Sequence, residues 1–379
     1  MLFRLTDIKK HLRVLDFPLI LAVLISCSLG LLLVKSATNY TDSLRYVFTQ
    51  IIAVACGVIA MYVISTFDYE HVTKYAKWFF AASVAALVIT LIFGTGDEIG
   101  SRSWLKIEAL GIGIQPSEFV KILFIITYAK HLDLIKNDKN NIKNVLFLCL
   151  HAGIIIGLVM LQRDLGTAIV FMIIFAVMNF WAGLSLWYFL VGISAVVLSS
   201  PFIWPLLREH QRRRILVGFN PESDPEGYGF QVIRAKTAIG SGGLFGAGYQ
   251  QGTITQNNLL PLQRNDCIFA VAGEEFGFVG TMVIIALLSF IIIRIFHLAY
   301  TSRNELGSYI CAGIGAMFMF QTIENIGMCL GLLPVIGLTL PFFSGGGSSI
   351  FSLFVAIGVV LAVRARRDIY YFSWDGLVK

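Results

Sequence analysis

About ten apolar runs, each long enough or nearly long enough to cross a bilayer, dominate this 379-residue chain. They fall at residues 17–34, 46–64, 78–93, 117–128, 145–161, 166–181, 187–203, 267–293, 309–332 and 348–363. In hydrocarbon, every backbone amide and carbonyl has to be satisfied within the protein, which leaves helices or closed barrels. Runs of this length predict an all-α polytopic membrane protein of about ten transmembrane helices. It forms a single membrane domain over residues 1–379, with one large extracellular loop, 204–266, between helices 7 and 8. Charged residues are 14% and hydrophobic residues 57%, too few charges to cover a soluble domain of this size.

Charge sets the orientation. The amino terminus is basic (Arg4, Lys9, Lys10, Arg13) and runs into a first apolar stretch that reads as a retained span rather than a cleaved leader. With that end inside, the other inside connections carry Lys74, Lys77, Lys130, Lys136, Lys139, Lys143, Arg294 and Arg303, then Arg364, Arg366 and Arg367. Both termini are therefore expected on the cytoplasmic side of the membrane. Two outer loops break the trend. Loop 94–115 holds Arg102 and Lys106, and loop 204–266 holds Arg208, Arg212, Arg213, Arg214, Arg234, Lys236 and Arg264. Basic residues placed against the positive-inside tendency need a reason, and an anionic ligand held outside the membrane is the simplest. The net charge of +6 matches cytoplasmic lysines facing anionic lipid and gives no ground for a nucleic-acid partner.

Several chemistries drop out early. The six cysteines show no CxxC spacing and read as small core hydrophobes, and the six histidines make no metal-ligand spacing. There is no Ser-His-Asp order and no HExxH. Glu118 and Lys121, three apart on the fourth span, read equally as a structural ion pair or as two groups turned to one cavity. Ser117 reads as that helix's cap. Asp164, in a tight turn between the fifth and sixth spans, is ordinarily a helix cap and secondarily a site residue. Asp266 faces the same choice, but it stands beside Arg264 at the end of the basic loop. Of Glu274 and Glu275, one is expected to pair with a basic group inside the bundle. The glycine run 240–248 lacks the lysine and the preceding strand of a phosphate loop; it lets backbone pass close to a helix or ligand. The segment 344–349, with Ser344 and Ser348, opens the last span and offers clustered amides to an anion, or simply a serine-capped turn.

Read together, these residues resemble a family. Gly100-Ser101-Arg102-Ser103-Trp104 followed by Gln115-Pro116-Ser117-Glu118 looks like GxRxW…QPSE, and Gln162 with Asp164-Leu165-Gly166-Thr167 looks like QxDLGT. The loop segments Gln211-Arg212-Arg213-Arg214, Asn220-Pro221-Glu222 and Asp266-Cys267-Ile268-Phe269, with Asn325-Ile326-Gly327 and Leu340-Pro341-Phe342, continue the pattern in order. The chain resembles the SEDS proteins (shape, elongation, division and sporulation), RodA more than FtsW. It departs from their pattern at Arg163 (commonly proline), Asn265 (often threonine), Gly345 (usually tyrosine) and Glu324, an extra acid in the ninth span.

The resemblance implies a peptidoglycan glycosyltransferase that polymerises lipid II at the outer face of the membrane, serving cell-wall elongation and shape. It implies Asp266 as general base of an inverting displacement. Arg102, Glu118, Lys121, Asp164, Arg212, Arg214, Lys236, Ser344 and Ser348 would bind substrate, with a divalent cation (Mg or Mn) as a further candidate on the pyrophosphate. A class B penicillin-binding protein, the transpeptidase, is the implied partner. The competing readings are a transporter of lipid-linked cell-wall precursor and a non-catalytic scaffold.

Overall fold

The computed structural model describes residues 14–39, 44–96, 102–107, 112–206, 212–213, 216–218, 220–227 and 229–375. The long helices are α1 (Phe17–Ala37), α2 (Arg45–Thr66), α3 (Ala76–Phe93), α4 (Pro116–Leu134), α5 (Ile142–Leu161), α6 (Leu165–Trp181) and α7 (Leu186–Ile203), then α8 (Phe230–Ser241) inside the large connection, and α9 (Ile268–Tyr300), α10 (Glu305–Cys329) and α11 (Gly347–Asp375). Seven helices, among them α1, α2, α9 and α10, are long and apolar enough to cross a membrane; α6 and α7 are shorter apolar helices. The fold is helical but not purely so: β1 (Leu105–Ile107) pairs antiparallel with β2 (Ile112–Ile114), Lys106 opposite Gly113. That hairpin lies in the connection expected to be a plain loop, and strands of three residues are too short to leave a period-2 signal.

The core sits around α10, 78% of whose apolar window is buried, and α11, at 72%. α10 packs against α9, α6 and α4, and α11 lies along nearly the whole of α2. α2 itself is only 17% buried and shows its other faces outward, as does α7, where no described side chain is buried. Such apolar exposure is costly in water and natural in lipid, where the tails are as apolar as the side chains.

The glycine run threads beside a break in α9. At Gly277 the backbone turns to φ 64°, so the helix ladder opens there. The Gly243 and Leu244 carbonyls accept the amides of Phe278 and Val279, while Ala247 and Gly248 donate to the carbonyls of Glu274 and Glu275. These residues serve backbone pairing beside the break in α9. Glu274 is nearly fully buried and accepts the amides of Ile254 (2.7 Å) and Thr255 (2.9 Å); Glu275 accepts from Ser36 and Gln256. Backbone and side-chain donors stand in place of the basic partner expected for one of them, and one Glu275 oxygen has no formed hydrogen bond.

Candidate active site

Six helix ends converge at one end of the bundle: the carboxyl end of α1 and the amino ends of α2, α4, α6, α9 and α11 surround a cavity of about 1050 Å³. Its walls include the segment Pro334–Thr339, the tip of the hairpin at Gly113, and Gly345–Ser349 at the start of α11. Asp266 lines it, half-buried, with Arg45, Arg163 and Arg264 on the same wall set. The helix cap of α9 falls on Cys267, one residue after Asp266. The Asp266 backbone is pinned from below: its carbonyl accepts from the Asn325 side chain at 2.8 Å and from the Cys329 thiol at 3.7 Å. Asn325 also holds the Leu338 carbonyl at 2.7 Å, so one side chain fixes both Asp266 and the opposite wall. Gly337 completes that wall; a Cβ there would stand 3.5 Å from an Asp266 carboxylate oxygen.

The other expected residues divide. Glu118 and Asp164 line the cavity, and so does Ser348, which donates to the Gly113 carbonyl at 3.2 Å and ties the hairpin to α11. Lys121 lies one turn behind Glu118, 1% exposed, with its ammonium 2.7 Å from the Glu118 carboxylate; the other Glu118 oxygen accepts from Ser352 at 3.2 Å. The spacing therefore forms an internal ion pair whose acidic member reaches the cavity wall. Asp164 both caps and lines: it accepts the Thr167 amide at 3.0 Å and the Thr167 hydroxyl at 2.9 Å, and Gln115 donates to it at 3.3 Å. Burial pushes its carboxyl above the ordinary range, against the pull of the Thr167 hydrogen bonds and the Lys121 charge. Ser344, 3% exposed, donates to the Asn265 carbonyl at 2.6 Å and accepts the Leu340 amide at 2.8 Å, stapling the α11 entry loop to the residue before Asp266. It positions the site from behind.

Arg102, Arg212 and Lys236 do not reach this cavity. Arg102 is exposed, and its amide bonds the Gln162 carbonyl; the Arg212 guanidinium turns back onto the Pro205 carbonyl; the Lys236 stem packs at Gly331. Arg214 lies outside the described residues. Proximity along the loop misplaced these cations, because α8 docks on α9 and carries Lys236 away from the opening. The cations that do line the cavity are Arg45, Arg163 and Arg264. Arg264 lies over the Tyr46 ring at 3.8 Å from its centre, which fixes the guanidinium plane across the mouth. Arg163 holds φ 63° at the end of α5, a left-handed residue closing the helix. Ser117 also differs from expectation: Gln115 is the helix cap, Pro116 the first residue, and the Ser117 hydroxyl is buried without a partner.

An anion fits this wall. Three guanidiniums border it, and the amino end of α11 points into it, although the Gly345 and Gly346 amides are already spent on the Arg264 carbonyl and Gln50. Among the described residues no group of three or more His, Cys, Asp or Glu side chains converges to hold a metal. A divalent cation here would draw most of its oxygen ligands from a bound phosphate.

Comparison with known proteins places this architecture. The sequence profile described as a cell cycle protein of the FtsW, RodA and SpoVE type matches residues 11–369. Stage V sporulation protein E of Bacillus subtilis (strain 168) is 36% identical over 365 residues, covering 92% of this chain and 96% of its own. Peptidoglycan glycosyltransferase MrdB of Escherichia coli (strain K12) is 32% identical over 319 residues, covering 83% and 84%. A chain from "Structural coordination of polymerization and crosslinking by a peptidoglycan synthase complex" superposes with a TM-score of 0.81 at 28% identity, covering 93% of this chain and 98% of that one. Rod shape determining protein RodA of Thermus thermophilus follows at 0.69 and 25%, covering 93% and 97%. Sporulation, FtsW and RodA names all occur among the relatives, so the similarity does not single out one branch. With its apolar helices, the chain is a multi-pass bacterial membrane protein. It belongs to the FtsW/RodA/SpoVE family, the SEDS proteins.

Proposed function

We propose that this protein is a peptidoglycan glycosyltransferase that polymerises lipid II. The observation that carries the reading is the placement of Asp266 in one cavity with Arg45, Arg163 and Arg264. A carboxylate and a set of guanidiniums are what an inverting transfer from a pyrophosphate-linked donor requires. The acceptor sugar hydroxyl attacks the anomeric carbon, and Asp266 takes its proton. The bond from that carbon to the pyrophosphate oxygen breaks, and the departing charge is met by the arginines and the start of α11. No second carboxylate has to protonate the leaving group, because a pyrophosphate leaves as a stable anion. Glu118 and Asp164, held by Lys121, Ser352 and Thr167, shape another part of the cavity wall. The polyprenyl tails would lie in lipid-facing grooves beside α2. A class B penicillin-binding protein is the partner this reading assigns, and cell-wall elongation the role; the orientation puts both termini in the cytoplasm and the cavity outside.

The test is polymerisation of labelled lipid II by the purified protein with its transpeptidase, wild type against Asp266→Asn. Glycan chains from the wild type and a loss of at least a hundredfold in the variant are expected, since a general base contributes ~10²–10⁴-fold. Full activity in the variant would remove Asp266 as the base. A wild-type complex that makes no polymer would return precursor transport to first place.

A further inference from the structure

Most of α2 faces outward, yet its first turns carry a buried amide. Gln50 is 3% exposed and heads the stripe that α2 lays against α11, followed by Ala53, Gly57 and Met61. Burying a primary amide in a membrane helix is costly unless both of its ends are bonded. Here both are. The Gln50 Nε2 donates to the Ser344 carbonyl at 3.1 Å, and its Oε1 accepts the Gly346 amide at 3.0 Å. The side chain thus grips the entry loop of α11 on either side of Gly345. The same loop holds the chain that leads to Asp266. The Gly345 amide donates to the Arg264 carbonyl at 2.7 Å, and the Ser344 hydroxyl to the Asn265 carbonyl at 2.6 Å. The second of these bonds fixes the peptide plane that Asn265 shares with Asp266. The approach is close: a Cβ at Gly345 would stand 3.0 Å from the Arg264 carbonyl oxygen and 3.3 Å from the Asn265 Oδ1. One turn before Gln50, on the same face of α2, the Tyr46 ring lies against the Arg264 guanidinium at 3.8 Å.

We propose that Gln50 is a positioning residue, which acts through Ser344–Gly346 to set where the Asp266 carboxylate stands. The Asn325 side chain holds the Asp266 carbonyl from α10, and the Gln50 route holds the preceding peptide from α2. The base is clamped from two helices that meet at the cavity. Both ends of the Gln50 amide are committed to the loop, so it serves the reaction without meeting the reacting atoms. Proton transfer needs the base within about 2.6–3.2 Å of the hydroxyl it deprotonates, and a misplacement of ~1 Å costs about a hundredfold in rate. A loosened loop therefore weakens the chemical step more than it weakens the hold on substrate.

The inference rests on Asp266 as base, and the experiment separates the two. Polymerisation of labelled lipid II is measured with the wild-type complex, Gln50→Met, Gln50→Asn and Asp266→Asn, resolving kcat from KM per folded enzyme. Gln50→Met keeps the length of the side chain and drops both bonds. It is expected to lower kcat about tenfold or more while KM stays within about threefold, the signature of an interaction felt in the chemical step. Hydrogen exchange over residues 262–268 is expected to quicken in the same variant. Gln50→Asn, which keeps the amide on a stem shorter by one methylene, is expected to lose less. A wild-type kcat in Gln50→Met overturns the proposal, whatever the melting temperature, and so does a loss carried by KM alone. Should Gln50→Met not fold, Gln50→Asn is read in its place by the same criteria. If Asp266→Asn keeps wild-type polymerisation, the base assignment falls and this inference with it. An inactive Asp266→Asn beside an unchanged kcat in the Gln50 variants removes Gln50 alone.

Discussion

Lys121 carries a full positive charge into a site where 1% of it is exposed, and Glu118 is the partner that neutralises it at 2.7 Å. Removing one member of such a pair leaves an uncompensated charge in a low-dielectric interior, which costs about 3–5 kcal/mol. Lys121→Met is therefore expected to lower the detergent melting temperature sharply. The double variant Glu118→Gln/Lys121→Met, with no charge left to strand, is expected to recover most of that loss. Recovery of melting without recovery of lipid II polymerisation would assign the pair to the site as well as to the fold; no recovery of melting would show that the two groups do not act as a pair. At this scale much was legible. The i, i+3 spacing announces the ion pair, and Asp266 stands out as the acid at the end of a basic loop. Arg163 and Arg45 were not legible as cavity cations. Each stands at a helix end, and only the left-handed closure of α5 and the docking of α2 turn them toward Asp266. Glu324 was visible as an extra acid, but its burial depends on the packing of α10.

α2 is the wall most open to movement, because little of it is buried apart from the seam it shares with α11. Where the two helices touch at Gly358, a Cβ would stand 2.9 Å from the Met61 carbonyl and 3.0 Å from the Ile64 Cβ; Gly57 faces the Phe354 ring in the same way. Small residues at such a seam let backbones approach, and close packing is what holds helices together once lipid has removed the hydrophobic drive. Gly358→Val would push backbone against backbone, an overpacking cost of about 1–3 kcal/mol. Because α2 contributes Arg45, Tyr46 and Gln50 to the cavity, the variant is expected to raise KM for lipid II as well as to lower the melting temperature. An unchanged KM in a destabilised protein would show that the α2 seam does not set the cavity. The sequence announces α2 and α11 as apolar runs, but their pairing is silent there. Non-consecutive helices meet through glycines that look alike wherever they occur. The hairpin near Gly113 was hidden for a different reason: strands of three residues carry too little pattern to outvote the glycines around them.

Over the whole molecule, charge is sorted by end. Away from the cavity, Asp16 pairs with Arg294 at 2.8 Å, Asp68 with Arg366 at 3.2 Å, and Lys130 with Asp133 at 2.9 Å. Asp16 precedes α1 and Arg366 sits late in α11, so both ends of the described chain lie at this pole, opposite Asp266. Lys74, Lys77, Lys136, Lys139 and Lys143 belong to its connections as well. On the positive-inside tendency we propose that this pole is cytoplasmic, although the loops at the other pole keep their own arginines. Of the described arginines in the two outer loops that break the trend only Arg264 lines the cavity, joined there by Arg45 and Arg163, so an anion at the cavity accounts for part of this set. The orientation is checked with a membrane-impermeant maleimide on cells carrying Asn257→Cys, in the exposed turn after Thr253–Gln256 at the cavity end, or Asn137→Cys, exposed between α4 and α5. Asn257→Cys is expected to label in intact cells and Asn137→Cys only after permeabilisation, each against the parent background. The reverse pattern would turn the cavity toward the cytoplasm. Polymerisation onto an external glycan strand would then be impossible at Asp266, and the same arginines would have to be read as receiving a lipid-linked anion on the side where it is made.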